Sequence, residues 1–147
     1  QLQALRLAST VHDIGKISIP SEILVAPRKL TPIERVLMQA HPAAGHELLK
    51  DVKFPWPLAQ IVRQHHERMD GSGYPDKLNG DQILPEARVL AVADVVEAMM
   101  SHRPYRPGLG LQAALDEITR GRGGAYDPGV VDACLALAAR NALPVTA

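Results

Sequence analysis

The sequence predicts an all-α domain, and three observations lead to that prediction. Apolar residues recur at helical spacing, strand-like alternation is scarce, and glycine and proline interrupt the chain between the helical segments. The chain has 147 residues, of which 46% are hydrophobic, so it can fold around a sizeable core. We expect about six or seven helices, with residues 1–147 forming a single domain.

The N-terminal half is predicted to contain three helices and one loop. The helices cover residues 1–13, 31–41 and roughly 43–50, and the loop with one short turn covers residues 15–30. The second helix begins with TPIE, in which Thr31 can cap the helix, Pro32 fits its first turn and Glu34 completes a capping box. It is expected to end near His41, because the proline that follows disfavours a helical conformation of the residue before it.

The C-terminal half is predicted to contain four helices. They cover residues 57–66, 84–102, 111–120 and 128–140. The glycines of DGSGYP end the first of these segments, and the glycine-rich segment GRGGAYDPG joins the last two. The helix at 84–102 is the longest and the most apolar.

Charge and composition exclude several classes of protein. The formal net charge is zero and the isoelectric point is about 7.2, so the chain lacks the basic footprint of a protein that binds duplex nucleic acid. Cys134 is the only cysteine, which excludes an internal disulfide and favours a reducing, cytoplasmic compartment. No apolar run reaches the roughly 18 residues of a membrane-spanning helix, and no signal peptide is visible.

Residues of the kind that bind metals occupy core-facing positions on several predicted helices. They are His12, Asp13, His41, His65, His66 and Asp94. His65 and His66, for example, continue the apolar stripe of the helix at 57–66. A single histidine on an apolar face is usually a core residue with satisfied nitrogens, and a single aspartate can be a cap or an ion-pair partner.

Taken together, these six residues favour a metal site. An unpaired buried carboxylate costs several kcal/mol, so Asp94 needs a cation or strong donors. Imidazoles suit iron, manganese, nickel or zinc, and carboxylates can bridge two ions. Four histidines and two aspartates exceed the ligand set of one structural tetrahedral site. The set therefore favours two metals, which can clamp a phosphate for in-line attack.

Four segments of the chain resemble a known family. They are HDIGKISIP at 12–20, HPAAGHELL at 41–49, HHERMDGSGYP at 65–75 and ADVVEAMMSHRPYRP at 93–107. Together they resemble the HD-GYP domain, a branch of the HD superfamily of metal-dependent phosphohydrolases. The resemblance covers nearly the whole chain and continues into GRGGAYDPGVVDACL at 121–135. It implies an HD-domain helical bundle.

The same resemblance implies a function. The family hydrolyses the bacterial second messenger cyclic di-GMP to pGpG and, in some members, to GMP, which implies a bacterial cytoplasmic phosphodiesterase. It implies about two or three divalent metal ions, with iron or manganese favoured. A regulatory domain is common in front of this family's domain, and some members bind diguanylate cyclases through the surface around the GYP motif.

The resemblance also carries roles onto individual residues. The implied metal ligands are His12, Asp13, His41, His65, His66 and Asp94. Asp13 would bridge two ions. Lys16 resembles the family lysine that contacts the phosphate and protonates the leaving oxygen; a solvated surface lysine is the alternative. Glu67 and Asp70 are expected to orient ligands or hold the loop rather than bind metal.

Two segments are expected to bind the substrate. Tyr74 would lie at the mouth of the site, where its ring can stack on or hydrogen-bond a guanine, and Gly71 and Gly73 permit backbone conformations that other residues resist. Arg103 and Arg106 resemble substrate-binding positions, since guanidinium groups suit phosphate oxygens and the guanine edge. A structural turn with a packed tyrosine and a solvated basic loop are the respective alternatives.

The sequence departs from the family pattern at its start. The family domain usually begins with one more helix, which donates a histidine and, in trinuclear members, a glutamate. Only eleven residues precede His12, and none is histidine or glutamate, so we expect an N-terminally truncated domain or a helix supplied by a partner. The alternative function is a catalytically impaired module that binds cyclic di-GMP or a diguanylate cyclase. A general HD-type nucleotidase is disfavoured by GYP and RPYRP.

Overall fold

The structure, a computed structural model, describes residues 1–102 and 107–143. These residues form eight α-helices: α1 (Leu2–Val11), α2 (Ser21–Leu24), α3 (Pro32–Met38), α4 (His41–Leu49), α5 (Leu58–Gln64), α6 (Pro85–Met100), α7 (Leu111–Arg120) and α8 (Pro128–Ala139). Short 3₁₀ helices occupy Ile14–Ser18 and Gly80–Gln82. Within these ranges the only β-type pairing consists of two isolated bridges. The all-α prediction is confirmed, and α2 is a single turn.

The predicted helix boundaries differ from the structure mainly around α3 and α4. The capping box forms as expected, with Glu34 N–H donating to Thr31 Oγ1 at 3.3 Å. However, α3 ends at Met38, and His41 begins the next helix instead of ending this one. Pro42 is accommodated because the first turn of a helix needs no intrahelical partner for its backbone nitrogen. The predicted loop at 15–30 contains a 3₁₀ helix as well as the short α2.

The core consists of two apolar clusters that share helix α6. The first joins α1, α5 and the start of α6 through buried residues that include Ala8, Ile61 and Leu90. The second joins α6, α7 and α8 and includes Val96 and Ile118. Helix α6 therefore packs on the first cluster through its N-terminal part and on the second through the rest of its length. None of the helices in the described part of the chain has the length and apolar character needed to cross a bilayer.

The 3₁₀ helix Ile14–Ser18 packs directly on the backbone of α4. A Cβ atom on Gly15 would clash with the carbonyl oxygen of His41 and would lie 2.5 Å from the amide nitrogen of Gly45. A Cβ on Gly45 would lie 2.8 Å from Val62 Cγ1 on α5 and 3.4 Å from the amide nitrogen of Gly15. Gly15 thus allows the 3₁₀ helix after α1 to approach the start of α4, and Gly45 allows α4 to approach α5.

We expect Gly15→Ala to destabilise the chain strongly. The added methyl group meets backbone atoms, which cannot rotate away, so the free energy of unfolding should fall by about 3 kcal/mol or more. Urea unfolding followed by circular dichroism measures this change. Gly124→Ala is the matched control, because its Cβ would find only one atom within contact range, at 3.8 Å. Equal stability of the two variants would contradict the proposed packing.

Candidate metal centre

The structure brings together all six residues that the sequence predicts as metal ligands. They come from the end of α1, the start of α4, the end of α5 and the middle of α6. Asp13 lies at the centre of the group. Its Oδ1 is 3.3 Å from His41 Nε2 and 4.0 Å from His65 Nε2, and its Oδ2 is 3.5 Å from His12 Nε2. Asp94 reaches the group from α6, with Oδ1 3.7 Å from His12 Nε2.

Three imidazoles form the inner part of this group, which we call the histidine cluster: His41, His65 and His66. Each can offer one nitrogen so that the three nitrogens lie within 4.8 Å of one another. His41 is 1% exposed and His65 is fully buried. A compact set of imidazoles, two buried and His66 partly buried, is the kind of site that binds a transition-metal ion.

Backbone carbonyls fix the orientation of three of the histidines. His12, His41 and His65 each donate Nδ1–H to the carbonyl oxygen three residues earlier, at 2.9, 2.7 and 2.6 Å respectively. All three carbonyls lie in the last turn of a helix, where they lack an intrahelical partner. A carbonyl can only accept, so the proton must reside on Nδ1, and Nε2 faces the centre.

This arrangement fits a bound cation. His41 Nε2 and His65 Nε2 are 3.3 Å apart, and in a neutral ring whose Nδ1 carries the proton, Nε2 presents a lone pair that a cation can bind. Burial lowers the pKa of His65 to about 4, so its ring is neutral at neutral pH. A metal ion between these two nitrogens would be bound by both lone pairs.

The carboxylates of the centre are held in their ionised form. Burial alone would raise the pKa of Asp13, but the contacts with His41 and Lys16 outweigh it and hold the pKa well below its usual range. Burial also opposes ionisation of Asp94, and His12 outweighs it in the same way. The contact with Asp94 correspondingly raises the pKa of His12 against the effect of burial. Ionised carboxylates are the form that binds metals.

Lys16 lies at the rim of the centre. Its Nζ donates to Asp13 Oδ2 at 2.5 Å, and 34% of its side chain is exposed. The residue is carried by the 3₁₀ helix Ile14–Ser18, one turn after Asp13. The ammonium group therefore touches a predicted ligand on one side and solvent on the other, unlike a lysine that is fully solvated.

The GYP loop (residues 66–78) folds back over the end of α5. Tyr74 N–H donates to the His66 carbonyl at 3.2 Å, and the two rings stack with centroids 4.8 Å apart. Gly71 has a φ of +78° as predicted, but Gly73 does not have a positive φ. Gly73 is needed for space instead, since a Cβ there would lie 2.5 Å from Glu67 Cα. Substrate binding by Gly73 and Tyr74 stays a prediction.

Two acidic residues hold the GYP loop closed. Glu67, only 2% exposed, accepts the backbone N–H groups of Asp76 at 2.7 Å and Leu78 at 3.0 Å. The sequence left open whether Glu67 orients ligands or holds the loop, and the hydrogen bonds place it in the second role. Arg63, on α5, donates two hydrogen bonds to the Asp76 carboxylate, at 2.6 and 2.7 Å.

The Arg63–Asp76 pair was missed by sequence reasoning. Its members are 13 positions apart, so no helical spacing connects them, and only the closed loop brings them into contact. The predicted substrate-binding residues Arg103 and Arg106 lie outside the described residues.

Comparisons with known proteins find one matching family and several similar relatives. The family model described as HD domain matches residues 1–130. The chain is 45% identical to the cyclic di-GMP phosphodiesterase response regulator RpfG of Xanthomonas campestris over 92% of its length, and 42% identical to a cyclic di-GMP phosphodiesterase of Thermotoga maritima over 90%. It spans only 36% and 37% of those two relatives.

The chain is also similar to a phosphodiesterase named for a different dinucleotide and to one solved structure. The chain is 37% identical to 3'3'-cGAMP-specific phosphodiesterase 3 of Vibrio cholerae, covering 84% of the chain and 27% of that relative. Among solved structures, the chain is similar to Bd1817, an HDG"Y"P protein from Bdellovibrio bacteriovorus, with a TM-score of 0.72. The match covers 88% of this chain and 41% of the Bd1817 chain. Since the two sequences are only 22% identical, this structural match shows a shared fold and nothing further.

Proposed function

The chain belongs to the HD domain family, which is metal-dependent, and we propose that it hydrolyses cyclic di-GMP to pGpG, and on to GMP as some HD-GYP members do. The observation that carries the proposal is the convergence of four imidazoles and two carboxylates, with the Nε2 atoms of His41 and His65 turned towards each other. Family membership agrees with the HD-GYP resemblance of the sequence, and several relatives bear the name cyclic di-GMP phosphodiesterase.

We propose that the centre takes two or three divalent ions, with iron or manganese favoured by the mixture of imidazole and carboxylate. The residues that would hold them are His12, Asp13, His41, His65, His66 and Asp94. Bound ions would supply Lewis acidity and a water nucleophile at neutral pH. Asp13 contacts three of the histidines, which supports the bridging role.

The residues of the chain contribute orientation, charge and a proton. Attack by the oxygen of water on phosphorus breaks the bond to the ribose O3′, and Lys16 Nζ gives its proton to that oxygen while a water proton leaves to solvent. The 5′-phosphate stays on the product, which is pGpG. Lys16 also offsets phosphate charge, and Tyr74, Gly73, Arg103 and Arg106 are proposed to bind the guanine and phosphate groups.

A second substrate has a specific observation in its favour. Three of the relatives, 36–39% identical to this chain, are named 3'3'-cGAMP-specific phosphodiesterases. This dinucleotide carries one adenine in place of a guanine and the same type of phosphodiester bonds. The two substrates differ at the hydrogen-bonding edge of one base. A site that hydrogen-bonds guanine there discriminates against adenine, because adenine leaves polar groups of the site unpaired.

Reconstitution of the chain tests the proposed function. The apo chain is loaded with Mn²⁺, or with Fe²⁺ without oxygen, and incubated separately with cyclic di-GMP and 3'3'-cGAMP. We expect pGpG by chromatography, about two metal ions per chain and loss of activity with a chelator that is restored by metal. Binding of cyclic di-GMP without turnover would instead support a catalytically impaired module, and turnover of 3'3'-cGAMP alone would reassign the substrate.

Other features stay predictions of the resemblance. They are a regulatory domain, diguanylate cyclase partners and a bacterial cytoplasmic location. A pull-down with a diguanylate cyclase domain, before and after substitutions in the GYP loop, would test the partner.

A further inference from the structure

His66 is oriented differently from the other three histidines of the centre. His12, His41 and His65 each have Nδ1 fixed by a backbone carbonyl. Within residues 1–102 and 107–143, no such hydrogen bond holds the His66 ring. Its ring contacts the rings of His65 and His41 on the side of the centre, and it stacks on Tyr74 of the GYP loop with an interplanar angle of 29°.

Tyr74 is in turn fixed by the closed GYP loop. Glu67, the residue directly after His66, uses both carboxylate oxygens to bind the amides of Asp76 and Leu78, which lie just beyond Tyr74. A buried carboxylate that loses these donors is left unsatisfied, so opening the loop is disfavoured. The backbone bond from Tyr74 N–H to the His66 carbonyl closes the same turn.

We propose that Tyr74 and Glu67 are positioning residues for the metal centre: Tyr74 fixes the plane of the His66 ring, and Glu67 holds Tyr74 in place. One face of the Tyr74 ring lies against His66, so the tyrosine of the GYP motif acts on a metal ligand. The inference rests on the proposed metal centre and is independent of which dinucleotide is hydrolysed.

Cobalt binding tests the role of Tyr74. The apo chain is titrated with Co²⁺, and affinity and the visible absorption spectrum are compared for wild type, Tyr74→Phe and Tyr74→Leu. Residues that orient a ligand typically contribute 10–100-fold to metal affinity, so Tyr74→Leu should weaken one cobalt site by about 10–100-fold and alter its spectrum. Tyr74→Phe keeps the ring and should resemble wild type. Wild-type affinity and spectrum in Tyr74→Leu would overturn the inference, as would an equal loss in Tyr74→Phe.

Two ion pairs of the same geometry separate positioning from general stability. Asp76, in the GYP loop, pairs with Arg63, and Asp132, on α8, pairs with Arg122, each through two hydrogen bonds of 2.6 and 2.7 Å. Asp76→Asn should weaken cobalt binding, whereas Asp132→Asn should leave it unchanged. Equal effects of the two substitutions would overturn the inference.

Glu67→Gln provides an independent variant should Tyr74→Leu fail to fold. Glutamine offers one acceptor and one N–H₂ group, so one of the two loop amides loses its partner. Cobalt affinity should fall in the same direction as in Tyr74→Leu, with the apo circular dichroism spectrum retained; unchanged affinity would contradict the inference. Wild type that binds no cobalt would overturn the metal centre and this inference together. Wild type that binds cobalt without hydrolysing a dinucleotide would overturn the proposed activity alone.

Discussion

Replacing Asp13 with alanine is expected to abolish hydrolysis and to release metal from the centre. The Asp13 carboxylate contacts His41, His65 and His12 and accepts from Lys16, so its loss leaves the imidazoles without their shared anion. Substitutions of residues that merely orient a ligand cost about 10–100-fold in affinity or activity, and removal of a direct ligand should exceed about 100-fold. Metal content by mass spectrometry and pGpG release by chromatography measure the two effects.

Two controls define the cause of this loss. Asp13→Asn keeps the shape of the side chain but removes its charge, so it should lose metal nearly as completely as Asp13→Ala. Asp51→Ala removes a carboxylate from an exposed position beyond the end of α4, and it should keep both metal and turnover. An Asp13→Ala chain that retained its full metal content and rate would rule out Asp13 as a bridging ligand.

Local sequence patterns sufficed for the all-α class of the fold and for the inward-facing positions of the ligands. Helix α5 ends at Gln64, and the apolar spacing of Ile61 and Val62 indicated that the next two residues, the paired histidines, would face the interior. The same reasoning placed Asp94 on the inner side of α6. Such patterns are informative because burial of a helix face depends on spacing within a few turns.

The orientation of the imidazoles could not be predicted in the same way. Each Nδ1 bond joins a histidine to a carbonyl only three residues away, so the partner is local. However, the carbonyl becomes available only where a helix ends, and the end of α3 was predicted three residues too late. Helix boundaries depend on competing capping and packing terms and are the least predictable feature of a helix.

The closure of the GYP loop depended on contacts that no local pattern contains. The pairing of Arg63 with Asp76 and the close approach of Gly73 to Glu67 exist only when the loop is folded. The sequence explained Gly73 by its backbone freedom, whereas the structure explains it by the lack of space for a Cβ. A glycine required for close approach has the same sequence signal as one required for a positive φ.

Substitution of Lys16 should separate turnover from metal binding. Lys16 Nζ contacts Asp13 at the rim of the centre and remains one-third exposed, so it can meet a phosphate without being a ligand. A positioned general acid contributes about 10²–10⁴-fold, and Lys16→Ala should lower kcat by this amount while metal content stays unchanged. Lys50→Ala is the matched control, because Lys50 makes the same type of pair with Glu47, three residues earlier, at 2.6 Å.

Two comparisons show whether Lys16 gives a proton or only a charge. Lys16→Arg keeps the positive charge, but a guanidinium does not release a proton in proteins, so the loss of turnover should persist. A phosphodiester with a nitrophenolate leaving group needs no protonation of its leaving oxygen, so its hydrolysis should be far less sensitive to Lys16→Ala than that of cyclic di-GMP. If Lys16→Arg restored the rate, or if both substrates lost equally, Lys16 would act on the phosphate through its charge and not as the acid.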